Sequence, residues 1–116
     1  MATWLLSIAF LSGLAMAGIR FASEKPTPPW LAKLHGFAAV SAISLLTFGW
    51  ATTGLGRAGM YGLLILLIAA AAGIVLNLTF HWRNRPLPEW LVFAHMCAAF
   101  LGFLIVGLVG VAMSPP

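Results

Sequence analysis

Three histidines, one cysteine and two carboxylates are the side chains of this 116-residue chain best suited to acid–base, metal or nucleophilic chemistry. Two of the histidines, His35 and His95, lie inside long apolar runs, each five residues after a tryptophan (Trp30 and Trp90). Five residues of helix is about 7.5 Å. An ionisable side chain within an apolar span is expensive and is a functional candidate by default. Ala38, Ala39 and Ala42 follow His35 at helical spacing, and Ala98, Ala99 and Gly102 follow His95. Small residues on the histidine face leave room either for close helix packing or for something flat.

Two imidazoles can act as structural glue, relay protons or ligate a metal. A bare zinc or copper ion usually wants further protein ligands. The runs contain no Asp or Glu, and Asn77 and Met16 have no counterparts sixty residues away. Cys97 lies about 200° round the helix from His95. Haem needs only two axial protein ligands, because the porphyrin supplies four nitrogens. A haem, a structural histidine pair, and a non-haem metal or proton site all remain open on the residues alone. His81 falls at the end of an apolar run and reads as a surface residue.

The elements that position these side chains follow from composition. Apolar residues make up 62% of the chain and charged ones 7%, with a mean hydropathy of +1.04. A soluble domain carries about a quarter charged residues. An ordinary soluble globule, a disordered tail and a nucleic-acid-binding arm are therefore excluded. Membrane helices need about 20 apolar residues. Four segments meet that length, roughly Thr3–Ala22, Trp30–Trp50, Ala58–Phe80 and Trp90–Met113. The links Ser23–Pro29, Ala51–Arg57 and His81–Glu89 are short, so consecutive helices must be antiparallel neighbours. The expectation is an all-α membrane protein, a single four-helix up-down bundle over residues 1–116.

Shifted by sixty residues, the sequence matches itself. Lys25-Pro26-Thr27-Pro28-Pro29-Trp30-Leu31 overlies Arg85-Pro86-Leu87-Pro88-Glu89-Trp90-Leu91, and His35 overlies His95. From Pro26 to Ala39, seven of fourteen positions are identical, where chance gives about one. Gly13 overlies Gly73. Two tandem two-helix repeats are expected, over about 1–56 and 61–116. Their histidines lie on helices two and four, diagonal in such a bundle, with axes roughly 13–14 Å apart given neighbour spacings of 8–10 Å.

Trp30, Trp82 and Trp90 mark one membrane interface, and Trp4, Trp50 and Tyr61 the other. Arg20, Lys25, Lys33, Arg83 and Arg85 gather at the first of these, leaving only Arg57 at the second. The positive-inside rule then puts links one and three in the cytoplasm and both termini outside, in an inner membrane of bacterial type. Ala15-Met16-Ala17 resembles a signal-peptide cleavage site, but Met1-Ala2-Thr3-Trp4 offers no basic leader, so cleavage is not expected. A haem at the depth of His35 and His95 would turn its anionic propionates to the near face, where Arg20, Lys25, Arg83 and Arg85 can meet them.

The pattern resembles the transmembrane b-type cytochromes, including the four-helix core of respiratory cytochrome b. The resemblance implies that His35 and His95 are axial ligands of haem b, and that Gly13 and Gly73 admit the porphyrin edges. It also implies electron transfer with a quinol or a membrane redox partner. That family carries a second histidine about fourteen residues further along each ligand helix; here those positions are Gly49 and Val109. One haem is implied rather than two. The other classes consistent with the composition are a cofactor-free scaffold or assembly subunit of a membrane complex, and a small transporter or metal-binding protein. Small multidrug exporters depend on a glutamate within the first helix, and this chain has none there. The partners expected are the bilayer, a quinone or membrane redox protein, and further copies of the chain, with no nucleic acid.

Overall fold

The computed structural model describes residues 2–54 and 56–113, with side chains described as far as residue 110. Four helices account for most of them. These are α1 (Ala2–Ser23), α2 (Pro29–Thr53), α3 (Gly56–Val75) and α4 (Glu89–Met113). A π-helical turn, Leu76–His81, extends α3 without a break. All four helices are long and apolar enough to cross a membrane.

Local chemistry sets the ends. At the close of α1 the Glu24 N–H returns to the Arg20 carbonyl at 3.1 Å, with Glu24 in the left-handed region at φ 55°. Asn84, sixty residues later, does the same work after the π turn at φ 53°. Its N–H reaches the His81 carbonyl at 3.2 Å. Prolines then hold the links extended until Pro28 and Pro88, whose carbonyls accept the N–H groups of Leu31 and Leu91 at 3.1 and 3.2 Å. A proline just before or inside the first turn costs no helical hydrogen bond.

The second link is shorter than the sequence suggests. α2 runs on to Thr53 because the Thr52 and Thr53 hydroxyls donate to the Phe48 and Gly49 carbonyls within the helix, at 2.9 and 2.8 Å. Only residues 54 and 55 separate it from α3. Gly54 and Gly56 both have positive φ, which glycine adopts without a side-chain clash.

Each helix packs against its sequence neighbours and α1 against α4, so α1 and α3, and likewise α2 and α4, are diagonal. Packing is closest within the hairpins α1–α2 and α3–α4 and sparser between them. Small residues allow it. Ala42 has no exposed surface. A Cβ on Gly102 would lie 2.7 Å from Leu66 Cγ, and one on Gly62 2.9 Å from Val106 Cγ2. The core gathers Leu6, Ala42, Leu46, Leu63, Leu66 and Val106. Many other large apolar residues point outward, and all five tryptophans are exposed. Water would penalise such a surface; hydrocarbon does not.

Candidate functional site

His35 on α2 and His95 on α4 meet inside the bundle. Their ring centroids are 6.1 Å apart and the ring planes are 83° to one another. Both side chains are half-buried. They flank a cavity of about 60 Å³ that is otherwise apolar. Its twelve lining residues form six pairs sixty positions apart: Leu6 and Leu66, Ala9 and Ala69, Phe10 and Ala70, His35 and His95, Ala39 and Ala99, Ile43 and Phe103.

Each imidazole is held by a backbone carbonyl of the neighbouring helix. His35 Nδ1 lies 2.7 Å from the Ala9 carbonyl oxygen, and His95 Nδ1 lies 2.7 Å from that of Ala69. A carbonyl can only accept, so in each neutral ring Nδ1 carries the proton and donates it. Nε2 is then the atom with the lone pair. Among the described residues neither Nε2 has a hydrogen-bond partner.

Gly13 and Gly73 explain how a side chain reaches a carbonyl that already serves its own helix. They stand four residues beyond Ala9 and Ala69. In a helix, Cβ of that residue tilts back over the carbonyl of the earlier one. A Cβ at Gly13 would lie 3.0 Å from His35 Cε1, and one at Gly73 3.0 Å from His95 Cε1. Glycine uncovers the acceptor and makes room for the ring. The family resemblance implies a porphyrin edge at these glycines; the imidazole rings lie against them.

One contact lacks a twin. The Ser12 hydroxyl lies 3.4 Å from His35 Nδ1 and donates to the Ile8 carbonyl at 2.7 Å. The position sixty residues on is Ala72. Nothing in the sequence marked Ser12, although a hydroxyl one residue before a duplicated glycine was a usable signal.

The four cations expected near this site divide. Arg20, at the end of α1, donates from Nη2 to the Leu87 carbonyl in link three at 2.9 Å. Lys25, Arg83 and Arg85 are exposed on the links at the same end of the bundle. His81 closes the π turn and is half-buried, while Cys97 is exposed. Among the described residues no group of three or more His, Cys, Asp or Glu side chains comes together. The arrangement thus offers two nitrogen donors, both pre-oriented, and no third protein ligand of those types. No protein-family model, curated protein or solved structure matches the chain.

Proposed function

We propose that this chain is a membrane b-type cytochrome in which His35 and His95 hold one non-covalent haem b. The observation that carries the reading is the imidazole pair itself, with both Nδ1–H groups fixed by carbonyls and both Nε2 atoms unpartnered. The two ring centroids lie 6.1 Å apart, close enough for one group to touch both. Hydrogen bonding at the far nitrogen is also how metal-bound histidines are usually oriented and made more basic.

The donor set suits haem better than a bare ion, since two protein nitrogens complete an iron that already has four. The cavity, about 60 Å³, is much smaller than a porphyrin. Admitting the ring requires the two hairpins to part along the seams between them, where packing is sparsest. If bound, haem would supply a one-electron couple, and a group held by both His35 and His95 would favour electron transfer over oxygen chemistry. The protein's own contribution is to orient both imidazoles, hold their Nδ1 protons and exclude water with apolar walls. Lys25, Arg83 and Arg85, exposed on the links and unpaired among the described residues, could meet propionates, and Arg20 has further N–H groups beyond the one given to Leu87. A quinol or a membrane redox protein is the proposed partner.

The same reading places the four helices across an inner membrane of bacterial type, with links one and three in the cytoplasm. It takes the two hairpins as tandem copies of one unit. The matching Nδ1–carbonyl bonds, Gly–imidazole contacts and left-handed caps sixty residues apart support that view.

Oxidised and reduced spectra of the protein expressed with haem available test the proposal. A low-spin bis-histidine spectrum is expected, and His35→Ala or His95→Ala should remove most of the pigment. A protein that stays colourless overturns the haem reading, and full pigment in both variants overturns the choice of ligands.

A further inference from the structure

The two histidines share the same backbone support, yet among the described residues only His35 has a second hydrogen-bonding neighbour. We infer that Ser12 is a positioning residue that makes the two imidazoles chemically unequal, with His35 the stronger electron donor. Ser12 stands beside His35 in this geometry; the consequence for a metal rests on the haem reading above.

The Ser12 hydroxyl is buried. Its proton goes to the Ile8 carbonyl at 2.7 Å, with the Ala9 carbonyl also in reach at 3.0 Å. That leaves oxygen lone pairs turned outward from the helix. His35 Nδ1 lies 3.4 Å from this oxygen and 2.7 Å from the Ala9 carbonyl oxygen. Its single proton is shared between a strong acceptor and a weak one. The result is a short polar chain from His35 through Ser12 to the Ile8 carbonyl, and such chains polarise their members cooperatively. His95 Nδ1 has the Ala69 carbonyl, and its neighbour at the corresponding position is Ala72, which has no hydroxyl.

More acceptance at Nδ1–H moves an imidazole towards imidazolate and raises the basicity of Nε2. His35 is therefore the better donor to any metal between the rings. For an iron couple, a stronger donor favours the oxidised state. With haem held as proposed, Ser12 would lower the midpoint potential below the value that two carbonyl-supported histidines would set.

Nitrogen-15 NMR of the imidazoles tests this on the full chain as purified. A pigmented sample is first reduced, because low-spin ferrous haem is diamagnetic. His35→Gln and His95→Gln assign the signals. The Nδ1–H resonances of His35 and His95 should differ in the wild type. Ser12→Ala should bring the His35 resonance to that of His95 and leave His95 in place. Ala72→Ser should move the His95 resonance towards that of wild-type His35. In pigmented protein, Ser12→Ala should raise the midpoint potential and Ala72→Ser should lower it. A His35 resonance unmoved by Ser12→Ala overturns the inference. A colourless protein ends the haem reading alone, since the resonances still decide the role of Ser12.

Discussion

Interfaces inside the two hairpins and interfaces between them follow different rules. Within each hairpin the contacts at the site are near copies. The imidazole-to-carbonyl distance is 2.7 Å in both, and the virtual Cβ at each glycine sits 3.0 Å from Cε1 in both. Between hairpins the two seams have diverged. The α1–α4 seam is aromatic. Phe10 stacks on Phe103 with centroids 4.8 Å apart and planes 3° apart, Phe10 meets Phe100 at 5.7 Å, and Phe21 stacks on Phe93 at 5.6 Å. The positions sixty residues away, on α2, α3 and the π turn, hold Ala70 and Ile43, Val40, His81 and Lys33. Seating an imidazole on a helix carbonyl tolerates little change, because the acceptor, the ring and the gap over the carbonyl must agree to fractions of an ångström. Closing a seam has many solutions.

The contrast can be broken at the hairpin interface first, where the largest effect is expected. Gly13→Leu or Gly73→Leu drives a side chain into an imidazole and displaces it from its carbonyl. Overpacking of this kind costs about 1–3 kcal/mol. If haem binds as proposed, its affinity measured by titration should fall at least about tenfold, which is about 1.4 kcal/mol. Gly18→Leu is the control, because a Cβ there meets nothing within 4 Å. Equal losses at all three positions would reduce the two glycines to generic packing.

At the aromatic seam a smaller effect should appear in stability rather than in ligation. Phe10→Ala removes two ring contacts worth about 0.5–1.5 kcal/mol each beyond their area. Thermal unfolding in detergent should register a loss of about 2 kcal/mol while the spectrum of bound pigment keeps its bis-histidine form. A ligand change in this variant would mean that the seam, too, aims the histidines.

The smallest test concerns the caps. Glu24 holds a left-handed conformation that costs an ordinary L-residue about 1–2 kcal/mol and asparagine less. Glu24→Asn, which copies Asn84, should raise the unfolding temperature by an amount equivalent to about 0.5 kcal/mol. A fall would show that the glutamate side chain supports the link by other means.

The sequence made the spans legible because twenty apolar residues in a row have few other uses. It also made the histidine pair legible, because a polar residue stands out in such a run and its copy sixty residues on stands out again. The end of α2 was harder to read. Thr52 and Thr53 look like link residues until their hydroxyls are seen to turn back onto their own helix. Hydrophobic periodicity does not mark the π turn at Leu76–His81 either. Least visible were the Ala9 and Ala69 carbonyls, since every residue carries one and no side chain advertises it. Their only trace in the sequence is the glycine four places later, which reads equally well as room for a cofactor.

The Arg20 bond to Leu87 has a mechanical side. Arg20 belongs to the first hairpin and Leu87 to the second, and their contact lies at the end of the bundle opposite Gly54 and Gly56. The two hairpins are continuous in chain only at that glycine-flanked link. The molecule is built like a book, with a spine at one end and a clasp at the other. Each cover is stiffened by its own histidine bond, and Arg20 ties the two covers together at the end away from the spine.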